Sequence, residues 1–302
     1  MELVDRLAGL SGSDFTTLML EVVRRRAARE TPATVLRRYE RDRFVRPGGI
    51  PWESTRRAED VLLRCLPREV EVVPLAPLVP LGTHSALATV SQHKVVTAIR
   101  ACEVAADPTN ALALEAATRR ARTPAGVVRL AAVQRVARAQ RVPAGWAAHF
   151  GLFATVTAGR DQGSLRFELA ALDEQLRFAV AALQAAGVRH VRVALTPLSE
   201  AGERIAAATA EALGSAAASS AASAAASSAV AEVVTDRDRA GGRGYYRDLC
   251  FKVNAIVDGA QEEIGDGGFT DWTARLLANA KERLLIAGYG TDRLASVAAG
   301  TG

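Results

Sequence analysis

Two arginines stand where an anion could be held. Arg293 follows an apolar run, residues 284–287, then Gly288-Tyr289-Gly290, then Thr291 and Asp292. The apolar run reads as a buried strand and Thr or Asp as a helix N-cap. The expected unit is therefore strand, glycine turn and helix, with a guanidinium at the junction. Glycines let a ligand approach the backbone, and a helix start beside an arginine favours negative charge. The same residues also read as plain turn chemistry, so the anion site depends on what the rest of the chain supplies. A second arginine, Arg138, lies near the end of residues 127–140, an apolar run with spaced arginines. That run fits a strand followed by a loop and a return strand over 150–159. It also fits an arginine-rich amphipathic helix, and periodicity alone does not choose.

Around these arginines lie groups that suit a small ligand. Residues 242–257 read Gly-Arg-Gly-Tyr-Tyr and then an apolar strand from Leu249, placing Tyr245 and Tyr246 at its start. Gly265-Asp-Gly-Gly268 forms a second glycine-rich stretch, read as a turn. His84 and His93 are too far apart for a metal pair on one helix, and read as surface or hydrogen-bonded histidines. Cys65, Cys102 and Cys250 are scattered and never paired as C-x-x-C. Neither a zinc site nor a disulfide framework is indicated, and no metal ligand set is assigned.

The elements that must position these groups can be traced in order. Residues 15–30 form a helix capped within 11–14, and Thr31-Pro32 opens a second helix by the N-cap and N1 preference. With Pro47-Gly48-Gly49 these close a basic N-terminal extension, 1–48. It reads either as a helical hairpin packed on the main body or as a basic arm for nucleic acid or a partner protein. Residues 54–66 form an amphipathic helix and 69–75 tend to a strand, after which Pro74, Pro77 and Pro80 keep the chain out of a central sheet position. Asp107-Pro-Thr-Asn110 caps a helix over 111–122. Residues 167–186 carry Leu169, Leu172, Leu176, Val180 and Leu183 on one stripe and end at Gly187. Residues 190–196 form a strand and 202–213 a helix. The tract 215–229 is entirely Ala and Ser; it reads as a flexible insert or a weak helix and adds little core.

Composition bounds the rest. The 302 residues are 49% hydrophobic but only 5% aromatic, so the core is built from Ala, Val and Leu. The net charge of +5 permits phosphate or nucleic-acid contact without demanding it. No secretory signal opens the sequence and no apolar run suits a membrane span. A protein of the cytoplasm, with no membrane association, is expected.

The ordered pieces resemble the three motifs of class II aminoacyl-tRNA synthetases, nearest to the histidyl-tRNA synthetases. Val136-Ala-Arg138-Ala-Gln140-Arg141 is similar to their motif 2 strand, and residues 149–159 to its return strand. Arg243-Gly-Tyr-Tyr246 through Phe251, Gly267-Gly268-Phe-Thr-Asp271 and Gly288-Tyr-Gly290-Thr-Asp-Arg293 resemble the later motifs, the last being motif 3. The likeness covers about 54–297. It implies an α+β fold: a class II synthetase-like antiparallel sheet flanked by helices, over 49–302, interrupted by an Ala/Ser-rich insert at 214–231.

The resemblance also implies a function. ATP would bind with Mg2+, Arg138 meeting the α-phosphate and Arg293 the γ-phosphate side, with Gln140, Gly288 and Gly290 beside them. Tyr245, Tyr246, Leu152, Val156, Gly267 and Gly268 would bind a small carboxylate substrate. Fixed guanidinium groups suit the extra negative charge of a pentavalent phosphorus. A homodimer, and an unidentified protein partner or tRNA-like acceptor, are implied as well. The departures are specific. The motif 2 glutamate is Gln140, and two polar residues that read histidine become Leu152 and Val156. Asp107-Pro-Thr-Asn110 echoes the segment that holds the substrate amino group without its glutamate. Such a site cannot select histidine by hydrogen bonding. The sequence stops at Gly302, shortly after motif 3, which implies a core without an anticodon-binding domain. Two readings follow: an adenylate-forming ligase, or a non-catalytic paralogue used as a regulatory or assembly subunit, as in the regulatory subunit of ATP phosphoribosyltransferase. A third, a nucleic-acid-binding module, rests on the arginine-rich helices alone.

Overall fold

The computed structural model describes residues 2–141, 147–221 and 230–300. Three helices come first: α1 (Glu2–Ala8), α2 (Gly12–Ala27) and α3 (Pro32–Tyr39). Ser11 caps α2 by accepting the Asp14 N–H, and Thr31 caps α3 ahead of Pro32 in a reciprocal pairing with Thr34. None of the three buries a residue. Their connection to the body is tied down by Arg43, which donates to the Gln140 carbonyl at 2.7 Å and accepts from the Ala148 N–H at 3.1 Å.

The body contains α4 (Trp52–Cys65), β1 (Glu71–Val72), β2 (Leu78–Pro80), α5 (Thr83–Leu87), β3 (Thr97–Ala98), β4 (Cys102–Val104), α6 (Pro108–Arg122), β5 (Val128–Ala137) and β6 (His149–Arg160). It continues with α7 (Arg166–Ala185), β7 (His190–Pro197), α8 (Glu200–Ala221), β8 (Val230–Thr235), β9 (Arg247–Val257), β10 (Ala260–Thr270), α9 (Trp272–Leu276), β11 (Glu282–Gly290) and α10 (Thr291–Gly300). One eight-stranded sheet runs in the order β1-β5-β6-β11-β10-β9-β7-β8, and β2-β4-β3 form a small second sheet. The six central strands of the large sheet are antiparallel; β1 and β8 each add a parallel edge. The fold is α+β, with helices flanking the sheet. The proline-rich stretch supplies only the two-residue edge strand β1 and the edge strand β2, as its missing N–H donors require. Among the described residues, no helix is long and apolar enough to cross a membrane.

One sequence expectation is revised and two open readings are narrowed. Within 127–140 the strand reading holds over the helical one: β5 spans Val128–Ala137. Neither glycine-rich stretch is a turn: Gly265–Gly268 lies inside β10, and Gly288-Tyr289-Gly290 forms the last residues of β11, with α10 starting at Thr291. Glycine is needed at Gly265 and Gly267 for close approach: a Cβ at Gly265 would stand 2.5 Å from Cδ1 of Tyr289, and one at Gly267 2.5 Å from Cζ of Phe251. The Ala/Ser tract divides: α8 extends to Ala221, β8 starts at Val230, and residues 222–229 fall outside the described residues.

Side chains directly opposed across antiparallel strands share a face, which sorts the sheet into two. One face packs Phe153, Phe251, Leu285 and Tyr289 against α4, α7, α8 and α10, with Leu172, Leu176 and Leu183 of α7 buried and Leu169 and Val180 packed at the margin. Phe178 meets Tyr289 edge-on at 5.9 Å. The other face packs Leu130, Ala132, Ala154, Val156 and Ile286 under Leu112, Ala113 and Ala116 of α6 and Trp272 of α9. This second face is small-residue rich, as the low aromatic content requires. Beyond α6 it continues to the end of the sheet where β5 stops, β6 begins and β11 stops.

Candidate functional site

The floor of the site is the end of β11. Gly288 lies opposite Ala154 on β6 and Asp266 on β10, and Gly290 lies opposite Leu152. A Cβ built at Gly288 would meet nothing within 4 Å, so the sheet surface is open there. At Gly290 it would lie 3.4 Å from the Arg293 side chain, which therefore rises beside the same patch. Arg293 sits in the first turn of α10, half exposed, and donates to the Glu263 carbonyl at 3.0 Å.

Arg138 flanks the floor from the other side. β5 ends at Ala137, and the Arg138 N–H donates to the Ala148 carbonyl at 2.8 Å, which fixes the backbone. Its guanidinium lies 5.0 Å over the Phe150 ring, donates through Nε to the Ala106 carbonyl at 2.8 Å, and reaches Asp107 at 3.3 Å. Asp107 is the N-cap of α6, accepting the Thr109 N–H through its other carboxylate oxygen. Among the described residues, two of the five N–H donors of Arg138 are engaged, and the side chain is 31% exposed. A helix N-terminus, a guanidinium and an open glycine floor meet at this corner, an arrangement suited to phosphate or carboxylate oxygens.

The far side of the same face is filled. Tyr245 and Tyr246 stack with centroids 4.4 Å apart, and Tyr245 packs 5.8 Å from Trp272. Burial pushes both phenols up, and the Asp266 charge adds to it. The Asp266 carboxylate takes a hydrogen bond from Arg239 at 3.0 Å and the Tyr246 hydroxyl at 3.4 Å. Burial also pushes the Asp266 carboxyl up; Glu263 and Asp107 reinforce this while Arg239 opposes it. The corner therefore holds cationic and acidic groups side by side, complementary to a zwitterion.

The structure brings Arg138, Leu152, Gly288, Gly290 and Arg293 to one end of one face. Tyr245 and Tyr246 stand on that face behind them, and Gly268 lies beneath Tyr246, where a Cβ would be 2.7 Å from that ring. Gly267 belongs to the opposite face, because the pleat alternates. Val156 shares the site's face but is buried in the core under α6. Gln140 is met through its backbone, by Arg43. Sequence reasoning missed Arg239 and Asp266 as a pair. Their only signal was an acid between glycines and an arginine 27 residues before it.

No protein-family model matches the sequence, and no curated protein sequence does. Solved structures do match. A histidyl-tRNA synthetase of S. aureus aligns at a TM-score of 0.59 and 14% identity over 82% of this chain and 66% of that one. An ATP phosphoribosyltransferase regulatory subunit/histidyl-tRNA synthetase from Bacillus halodurans aligns at 0.59 and 14% over 83% and 82%. The pyrrolysyl-tRNA synthetase of Desulfitobacterium hafniense gives 0.53 and 12% over 82% and 70%. This chain thus spans just under two thirds of the S. aureus enzyme. At such identities the likeness is one of fold, and the fold is that of a class II aminoacyl-tRNA synthetase-like core.

Proposed function

We propose that this face binds ATP and activates a small carboxylate, an amino acid or a relative of one, as an adenylate for transfer to an acceptor. One observation carries the reading: Arg138 and Arg293 stand at the same end of the same face, on either side of the open floor at Gly288. ATP would supply the electrophilic α-phosphate and pyrophosphate as leaving group. Arg138 would neutralise charge at the attacked phosphorus, and Arg293 charge on the departing oxygens. Gly288 and Gly290 would let the phosphate chain lie against the strand. Asp107 and Asp266 favour an ammonium on the substrate, and Leu152 a side chain less polar than histidine's. The arginines and glycines fit a phosphate chain. Mg2+ would arrive with the nucleotide, held by phosphate oxygens and one or two carboxylates; among the described residues no group of three or more His, Cys, Asp or Glu could hold it alone. The reading includes a homodimer in the cytoplasm.

The test is exchange of labelled pyrophosphate into ATP by purified protein across an amino-acid and carboxylate panel, with Arg138→Ala and Arg293→Ala as controls. Exchange abolished by either substitution supports the reading. A panel with no exchange, and no ATP binding by calorimetry, removes it.

A second reading, a regulatory or assembly subunit without catalysis, is favoured by a different observation. Tyr246 and Val156 occupy the substrate side as packed residues, and Arg138 and Arg293 already have protein partners. A stable, stoichiometric complex with a defined host enzyme whose activity changes on binding, together with absent exchange, would favour it.

A further inference from the structure

Behind Arg138 lies a buried carboxylate that the proposed reaction does not use. Glu103, the middle residue of β4, has no exposed surface, and His84 of α5 is 1% exposed. Four donors converge on Glu103: the N–H groups of Gly82 and His84, each at 3.0 Å, Nε2 of Gln92 at 2.7 Å and Nδ1 of His84 at 2.6 Å. Burial by itself would raise this carboxyl, but the four hydrogen bonds outweigh it and hold the group below its ordinary value.

The histidine's tautomer follows from its other side. Nε2 of His84 lies 2.9 Å from the Ala106 N–H, which can only donate. Nε2 therefore carries no proton, and the proton is on Nδ1, facing Glu103. A imidazole in this state holds the Ala106 peptide on one side, and the Ala106 carbonyl holds Nε of Arg138 on the other. The residue after it, Asp107, holds the same guanidinium. The segment is also stitched to the end of β5, where the Ala137 N–H donates to the Ala105 carbonyl at 3.2 Å. That bond fixes the segment's position, and His84 fixes how its peptides are turned.

We propose that His84 is a positioning residue for Arg138: Glu103 locks it as the Nδ1–H tautomer, and through Ala106 it aims the guanidinium at the site. The small sheet and α5 are the rigid mount of this device. The use made of Arg138 rests on the proposed function; the coupling between His84 and Arg138 does not.

The test uses the full chain and two substitutions that split the imidazole's roles. His84→Gln places an amide oxygen near the Nε2 position and keeps an acceptor for Ala106. His84→Asn keeps a donor near Nδ1 and loses that acceptor. Nitrogen-15 NMR reads the imidazole tautomer and the Arg138 Nε–H signal, assigned by its loss in Arg138→Lys; calorimetry reads ATP affinity. The expected result is an Nδ1–H tautomer in the native chain and an Arg138 signal kept in H84Q but lost or strongly shifted in H84N. ATP should bind about 10-fold or more weaker to H84N, since misaiming a binding group by an ångström is costly. An Nε2–H tautomer, or an Arg138 signal unchanged in folded H84N, overturns the proposal. Should H84N not fold, Glu103→Gln carries the same test, because a neutral amide holds the tautomer less firmly; an unchanged Arg138 signal there also overturns it. A native chain that binds no ATP defeats the proposed function and leaves the NMR result to decide this inference.

Discussion

Helix α6 is fastened at both ends by an arginine and a carboxylate, and the two fastenings are opposites. At its C-terminal end Arg120 forms a paired contact with Glu282 at 2.8 and 2.9 Å and also donates to the carbonyls of Thr123 and Gly126. Both partners are buried, at 0% and 3% side-chain exposure. At its N-terminal end Asp107 meets Arg138 through a single longer contact, 3.3 Å, with both side chains about a third exposed at 33% and 31%. The cationic last turn of α6 and its acidic cap both suit the helix dipole. The difference lies in what remains unspent. Arg120 is consumed by the fold, whereas Arg138 keeps donors and exposure for a ligand. A buried, paired arginine is evidence about structure; a braced but half-open one is evidence about a site.

Substitutions can break or sharpen that contrast. Arg120→Ala should be the most damaging, costing about 3–5 kcal/mol because it strands a buried carboxylate; denaturant unfolding measures this, and a loss below 1 kcal/mol would erase the distinction. Arg138→Ala should reverse the pattern. Its stability should change by about 1 kcal/mol or less, as for exposed pairs, while pyrophosphate exchange falls about 10²–10³-fold, the usual penalty for removing a donor to developing charge. The floor offers the next comparison. Gly267→Ala should destabilise by about 1–3 kcal/mol through overpacking against Phe251. Gly288→Ala, facing open space, should stay within about 0.5 kcal/mol yet weaken ATP binding. Acid is the gentlest probe. The Glu103 carboxyl titrates below its unfolded value, so its contribution is full above about pH 4.3 and is lost as pH falls through the lower folded value. Unfolding free energy measured from pH 6 down to pH 3 should therefore fall less steeply in Glu103→Gln than in the native chain.

What the sequence revealed was local. Asp107-Pro-Thr announced the start of α6, Thr31-Pro32 the start of α3, and the leucine stripe of α7 its buried face, because each depends on neighbours within a few turns. The order of arginine and glycine segments also led to the right fold. What stayed hidden depended on partners distant in sequence. Arg120 and Glu282 are 162 residues apart, and His84 and Glu103 lie on different elements. The glycines of β10 and β11 read as turns because glycine suits turns; in β10 the actual cause at Gly265 and Gly267, backbone and aromatic side chains of the neighbouring strands at close approach, is a property of register. Val156 and Gly267 were grouped with the site for the same reason: the resemblance aligned positions, and only the pleat and the helix above it decide which face is open.

The strand order has a consequence for how the protein is made. β11 lies between β6 and β10, yet it is the last in sequence of the described strands, and its first residue, Glu282, pairs with Arg160. During synthesis the β5–β6 hairpin emerges early with one bare edge and must wait for more than a hundred residues before its neighbour exists. Such distant pairing is slow to form and leaves an apolar edge exposed meanwhile. Refolding should therefore be slow and sensitive to protein concentration, and the site should appear late, because its glycine floor belongs to the strand that closes the sheet.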